Sequence, residues 1–322
     1  MLSSDLEHAI AKTIAFFDVF SYPVSLAEIR DFLLQGPGNV STADIIDALR
    51  DSSFLADIIA CERGYYLLRT RQDLVGIRNQ RYRIAEKKYG RALKAVQIIA
   101  RVPFVRLISV VNSLAMSNAD DQSDIDLFIA VQPGHVWTVR FIVTALLDIM
   151  GLRPKNDKKK DAICASFFAS TDSYNMVGLQ IADDPVTGLG DSYLAWWVSR
   201  CIPLYDEGGE GEKFFQANEW AASLFPYRRF YLTGRLRRVS MGIVSHSIKK
   251  SIEWFLALCG EGAERAARAI QWKILPKALR EIVNSDTRVV MTDSILKFHQ
   301  NDTRSEIRDQ FIATCKKYGI RF

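Results

Sequence analysis

The sequence predicts an α+β protein in four parts: a winged-helix-like domain over residues 1–70, a basic connecting helix over 71–100, a unit with a small mixed sheet over 101–186, and a helical C-terminal domain over 187–322. Two patterns carry this prediction. Between 101 and 186 three near-continuous apolar runs rich in β-branched residues, "FVRLISVV", "DIDLFIAV" and "AICASFFA", read as buried strands, with an apolar helix over 136–151 between the last two. On either side of that unit the apolar residues recur at helical spacing instead.

The first helix spans residues 4 to about 22, where Ile10, Ile14, Phe17 and Val19 recur near helical spacing ahead of Pro23. "SLAEIRDFLL" opens with the Ser and Glu of a capping box, and Ser41 or Thr42 takes the same role in "STADIIDALR". "FLADIIA" and "GYYLLR" alternate, and the "CERG" between them predicts a hairpin. Three helices and a hairpin define the winged-helix-like unit. Its third helix, where a DNA reader would carry base, has Asp44, Asp47 and Asp51 against Arg50 alone, so the expected role is packing or protein contact. The next helix carries Arg78, Arg81, Arg83, Lys87, Lys88, Arg91 and Lys94, either as a solvated face or as an electropositive wall beside a polyphosphate or RNA site. Beyond Gly188 the pattern is helical, with Trp196, Trp197 and Trp254 expected in the core.

Composition narrows the class. Of 322 residues, 48% are hydrophobic and 25% charged, as in a soluble globular protein with real cores, and the net charge of +5 favours anionic partners such as nucleotides or RNA. Cys61, Cys164, Cys201, Cys259 and Cys315 are scattered, without a C-x-x-C pair, so no disulfide framework or zinc site is signalled and a reducing cytoplasm is expected. The N-terminus is acidic where a secretion signal would be basic. The longest apolar run, "VWTVRFIVTALLDIMGL", contains Arg140 and Asp148 and is short for a membrane span, so no membrane partner is expected.

One stretch carries chemistry. In "NSLAMSNADDQSDIDLFI", Asp124 and Asp126 sit one residue apart in an apolar strand pattern, so they share a face with Phe128 while Ile125, Leu127 and Ile129 share the other. Carboxylates at i and i+2 stand about 7 Å apart at Cα and can converge on one metal. Their hard oxygens suit Mg²⁺. Upstream, the first strand runs into Asn112, which tolerates a left-handed turn, and Ser113, which offers a hydroxyl and an N–H to a phosphate. A phosphate held there beside a metal on the neighbouring strand gives the arrangement needed for nucleotidyl transfer.

This stretch, "VVNSLAMSNADDQSDIDLFIAV", resembles the signature of the nucleotidyltransferase superfamily with the polymerase-beta-like fold: an apolar strand, Gly-Ser or Gly-Gly, about ten residues, then Asp-x-Asp in a second strand. The resemblance implies a nucleotidyltransferase-like palm over 101–186, Ser113 on the triphosphate of an NTP, and Asp124 and Asp126 as Mg²⁺ ligands. The specific match covers about thirty residues. More loosely, the chain is similar to members that pair a winged-helix-like N-terminus with a helical tail, including a segment like "LKFHQNDTR" at 296–304. Asn112 stands where the family has Gly, and the strand that usually brings a third carboxylate offers Cys164, Ala165 and Ser166. Asp161 and Asp172 are substitutes by position, with Asp161 also readable as a loop acid paired with Lys158, Lys159 or Lys160.

Asp120 and Asp121 are expected in the turn before the second strand, and His299 as a local hydrogen-bonding residue rather than the substrate contact it could also be. Arg140 and Lys158, Lys159 and Lys160 flank the cleft in sequence and either neutralise pyrophosphate or face solvent. The expected function is Mg²⁺-dependent transfer of a nucleoside monophosphate from an NTP to a hydroxyl acceptor. The alternative is a catalytically degenerate nucleotide-binding or regulatory protein on the same fold, and nucleic-acid binding through the N-terminal unit is a third reading.

Overall fold

The computed structural model describes residues 4–154, 159–230, 237–257 and 260–322. Lys158 and Cys259 lie outside the described residues. Helix caps set the N-terminal part, which runs α1 (Ser4–Asp18), β1 (Val24–Ser25), α2 (Leu26–Asp31), α3 (Thr42–Asp51), α4 (Ser53–Ile58), β2 (Ile59–Glu62) and β3 (Tyr65–Leu68). Ser25 with Glu28 and Ser41 with Asp44 form the full capping boxes of α2 and α3. The hairpin closes on Arg63 and Gly64, both at positive φ (52° and 82°), as a two-residue turn between right-twisted strands requires. β1, β3 and β2 form an antiparallel sheet in that order.

"FLADIIA", expected as a strand, is mostly the helix α4. Ser52 caps it by accepting the Leu55 N–H, and only Ile59 and Ala60 of the run enter β2. The long basic helix α5 (Leu74–Ile99) then splits its charge between two faces. Arg83, Lys87, Arg91 and Lys94 are solvated, whereas Arg78 forks onto Glu28 at 2.9 and 3.0 Å and Lys88 is buried.

The central elements follow as β4 (Val105–Val110), α6 (Asn112–Ala115), β5 (Ile125–Val131), α7 (Val136–Ile149), β6 (Ile163–Ser170), α8 (Ser192–Ser199), β7 (Ile202–Asp206), α9 (Glu210–Ala217), α10 (Ile243–Ala257), α11 (Gly260–Ile274), α12 (Lys277–Ile282), β8 (Val289–Met291), β9 (Ile295–Phe298) and α13 (Arg304–Lys317). They build a mixed six-stranded sheet in the order β7-β4-β5-β6-β9-β8, with β5 and β6 parallel across the α7 connection and the other pairs antiparallel. The fold is therefore α+β, as expected. The stretch 187–322, read as helical, also supplies β7, β8 and β9. These strands are three to five residues long and β7 contains Pro203, tolerable because β7 is an edge strand, so no run shows enough period-2 repeats to register in the sequence.

Alternation along β5 feeds two cores. Phe128 and Ala130 pack with Phe16, Trp196, Trp197, Phe214 and Phe225 on one face, and Leu127 and Ile129 pack with Val96, Trp137 and Val143 on the other. Among the described residues no helix is long and apolar enough to cross a membrane.

α10 is turned inside out. Lys249, 1% exposed, donates to Val105 O (2.6 Å), Tyr205 Oη (3.1 Å) and Glu207 Oε2 (2.7 Å), and Glu253 receives Arg106 at 2.7 and 3.0 Å together with the Phe104 N–H at 2.7 Å. Its charged face is thus the buried one. Trp254, expected in the core, is consequently 71% exposed.

Arg304, 5% exposed, spends all five guanidinium donors: on Asp302 (2.9 and 2.6 Å), Asp191 (2.8 Å), Leu179 O (2.6 Å) and Thr287 Oγ1 (2.6 Å). Asp191 in turn caps α8 by accepting the Leu194 N–H at 2.8 Å. Burial opposes ionisation of both acids; Arg304 and Lys297 still hold Asp302 down to about 2, whereas at Asp191 burial outweighs the guanidinium and the pKa is pushed up. Arg304→Met strands two buried carboxylates and is expected to cost about 3–5 kcal/mol in urea unfolding at pH 7. A loss below about 1 kcal/mol would show that the cluster does not hold the 296–304 segment in place.

Candidate functional site

β4 delivers Asn112 and β5 delivers the two aspartates. Val110 pairs with Leu127, and the Val111 N–H donates to Asp126 O at 3.2 Å, so the end of β4 lies against the start of β5. Asp124 stands one residue before β5 and Asp126 at its second position, both half-buried. Asn112 adopts the left-handed conformation expected of it, φ 54°. Its Nδ2 donates to Asp126 Oδ2 at 2.8 Å, and its Oδ1 accepts from Tyr193 Oη at 3.1 Å and Trp197 Nε1 at 3.0 Å. Two donors facing one atom and a carboxylate facing the other fix which way the amide points.

A bulge in β6 brings in a third side chain. Asp126 pairs with Cys164 but Phe128 pairs with Phe167, so β6 carries one extra residue there, and the phase change puts Cys164 and Phe167 on the side of Asp126 and Phe128. Ligand atoms of Asp124, Asp126 and Cys164 all lie within 4.8 Å of one another. A cation with bonds of about 2.1 Å could be held by the two carboxylates after a small side-chain rotation. The thiol is the odd member: it is a soft ligand and, protonated, a donor to Asp126. The scattered cysteine spacing gave no sign of it, because the approach depends on strand pairing across about forty residues.

Burial and mutual repulsion favour the protonated forms of these groups. Burial, then the charge of Asp124, pushes Asp126 up to about 6, against the hydrogen bonds from Asn112 and Cys164. Burial likewise raises Asp124, and burial with the Asp126 charge raises the Cys164 thiol well above its usual range. The two aspartates titrate as a pair. A divalent cation would supply the positive charge that such a pair lacks.

The remaining expected site residues divide. Ser113 is half-buried and borders a cavity of about 270 Å³ with Asn112, Asn118, Tyr193 and Trp196. Asp161 does not join the acid pair: its Oδ1 receives Lys88 Nζ at 2.7 Å, and the same ammonium donates to Ser123 O at 2.7 Å and Asp121 O at 3.4 Å. Lys88, read only as part of a charge run, therefore pins the loop ahead of Asp124. Asp121 pairs with Lys160 at 2.5 Å, and Asp120 accepts the N–H groups of Gln122 and Ser123 at 2.8 Å, the expected turn role. Asp172 sits exposed in the loop after β6, accepting from Ser173 Oγ at 3.1 Å. Lys159 lies near enough to both aspartates to favour their charged forms.

His299 departs from its expected role. Its backbone N–H donates to Arg288 O at 3.1 Å, but Nδ1 is buried without a partner among the described residues. The ring meets Phe167 edge-on at 6.2 Å and borders a cavity of about 160 Å³ with Asn112, Tyr193, Trp197 and Lys297. Burial, then Lys297, lowers its pKa to about 4, so it is neutral at pH 7.

No family model, curated protein or solved structure matches this chain.

The raised pKa of Asp126 has a direction in pH. The fold favours its protonated form, so the metal-free protein loses stability as pH rises from the unfolded carboxylate range through about 6, and below that window folded and unfolded states are both protonated. Asp126→Asn is therefore expected to raise the metal-free Tm at pH 7.5 by at least about 2 °C and to leave it unchanged near pH 3.5, read by thermal unfolding in chelator. Equal Tm values for the two proteins at pH 7.5 would contradict this.

Proposed function

We propose that this chain is a Mg²⁺-dependent nucleotidyltransferase that moves a nucleoside monophosphate from an NTP to a hydroxyl acceptor. The observation that carries the reading is the convergence of Asp124 and Asp126 beside the left-handed turn at Asn112, joined by a hydrogen bond of 2.8 Å. Asp124 and Asp126 would hold Mg²⁺, which when bound neutralises charge on the α-phosphate and on the leaving pyrophosphate. Asn112 holds Asp126 through its Oδ2. Ser113, one residue on, offers its hydroxyl to the triphosphate, and Lys159 adds positive charge near the same acids.

The strand order β1-β3-β2 with the helices α1 to α4 supports the winged-helix-like reading of the N-terminal unit. Arg50, the base on its third helix, is engaged by Asp47 at 2.8 Å and Asp51 at 2.7 Å, which counts against nucleic-acid binding there. The cysteines Cys61, Cys164, Cys201 and Cys315 are free thiols, which fits a reducing cytoplasm.

A second reading, a degenerate nucleotide-binding or regulatory protein, is favoured by Cys164, which approaches the acid pair where catalysis would call for a third carboxylate. Two measurements separate them. ATP, GTP, CTP or UTP with Mg²⁺ is expected to raise the wild-type Tm but not that of Asp124→Ala/Asp126→Ala, since a ligand stabilises only the state that binds it. Equal shifts in both proteins would remove the acids from the site. Pyrophosphate release with a panel of hydroxyl acceptors is then expected from wild type, and binding without release would establish the second reading.

A further inference from the structure

β9 pairs with β6 only at Phe167, Phe168 and Ala169, so among the described residues the first half of β6, 163–166, has no strand on its outer edge. Beside this open edge lies a cavity of about 550 Å³, enclosed by α7, α11, α12 and Phe298. Cys164 belongs to its wall and also to the acid trio. The cavity and the candidate metal site therefore share one residue of β6.

Arg140 is the feature of that cavity that demands an explanation. Its guanidinium lies 4.1 Å from the centre of the Phe298 ring, its Nη1 donates to Gln271 Oε1, and its Nε is buried with no partner. Among the described residues no carboxylate pairs with it, whereas Arg78, Arg106 and Arg304, also turned inward, have Glu28, Glu253 and Asp191 at 2.9, 2.7 and 2.8 Å. Burial lowers its pKa only to about 10, so it stays charged at pH 7. Arg140 is half-buried with an unpartnered Nε and no carboxylate beside it, so an anion entering the cavity would meet a cation that the protein itself does not neutralise. Arg153 stands at the rim with its side chain 45% exposed, bound to Asp148 at 2.8 Å. Phe141, Leu275 and Leu279 complete an apolar wall.

We propose that this cavity takes the phosphoryl group of a small phosphorylated molecule, with Arg140 as the anchor on α7 and Arg153 at the rim. A phosphate dianion meets a planar guanidinium through paired donors, and the apolar wall accommodates a carbon skeleton.

The test uses the full chain in chelator, with inorganic phosphate, pyrophosphate and glycerol 3-phosphate as probes in calorimetric titration. Glycerol 3-phosphate is expected to bind wild type and Asp126→Asn alike and more tightly than either inorganic probe. Arg140→Gln is expected to weaken it at least about tenfold and Arg153→Gln at least about threefold. Arg140→Gln is also expected to melt no lower than wild type without ligand, because it removes a partly desolvated charge that no carboxylate offsets; if it does not fold, Arg153→Gln decides alone. Unchanged affinity in the arginine variants, or no binding of any probe to wild type, overturns the site. Tighter binding of pyrophosphate than of glycerol 3-phosphate overturns the role of the apolar wall in taking a carbon skeleton. Arginine-dependent phosphate binding with no NTP response in wild type keeps this site and removes nucleotidyl transfer, whereas an NTP response without phosphate binding does the reverse.

Discussion

One side-chain amide ties the candidate site to the fold. Asn112 ends β4, donates to Asp126 on β5 and accepts from Tyr193 and Trp197 on α8, so three elements meet on its two polar atoms. A glycine here would reach the same φ more easily but could not make these contacts. The carboxylate that the amide holds has its charge opposed by burial and by Asp124, and the geometry persists because Trp197 is itself clamped, stacked on Phe167 at 5.3 Å and edge-on to Phe128 at 5.7 Å. Position and electrostatic tension at Asp126 thus have one origin.

Buried cations set the rest of the scaffold, each from a different element. Lys88 of α5 ties the loop before β5 to Asp161 ahead of β6, Lys249 of α10 holds β4 and β7, and Arg304 at the start of α13 closes the segment after β9. In each case the ion is surrounded by acceptors, which is the condition under which burying it is tolerated. Arg140, half-buried on α7, lacks such a set of acceptors: its Nε has no partner and it borders a cavity. The same logic explains α10: once its lysine and glutamate are committed inward, its outer face is left to Val244, Ile248, Ile252 and Phe255.

Much was legible in the chain. The strands β4, β5 and β6, the helix α7, both capping boxes and the left-handed Asn112 follow from near-continuous apolar runs, side-chain capping chemistry and the tolerance of Asn for positive φ, all of which act within a few residues. The acid pair was legible for the same reason, since two positions on one strand share a face. What escaped were the short strands β7, β8 and β9, the helical start of "FLADIIA", the exposure of Trp254 and the true partner of Asp161, which is Lys88 rather than the neighbouring lysines.

By itself, then, the sequence determined the local elements and the presence of two carboxylates on one β-strand face, because periodicity and capping are properties of neighbouring residues. Only the tertiary structure decided which distant groups complete the site: Cys164 through a bulge in β6, Asn112 through the β4–β5 pairing, and Arg140 through the packing of α7 against an open sheet edge. Strand register and the burial of a charge depend on contacts made across many tens of residues, and no window along the chain contains them.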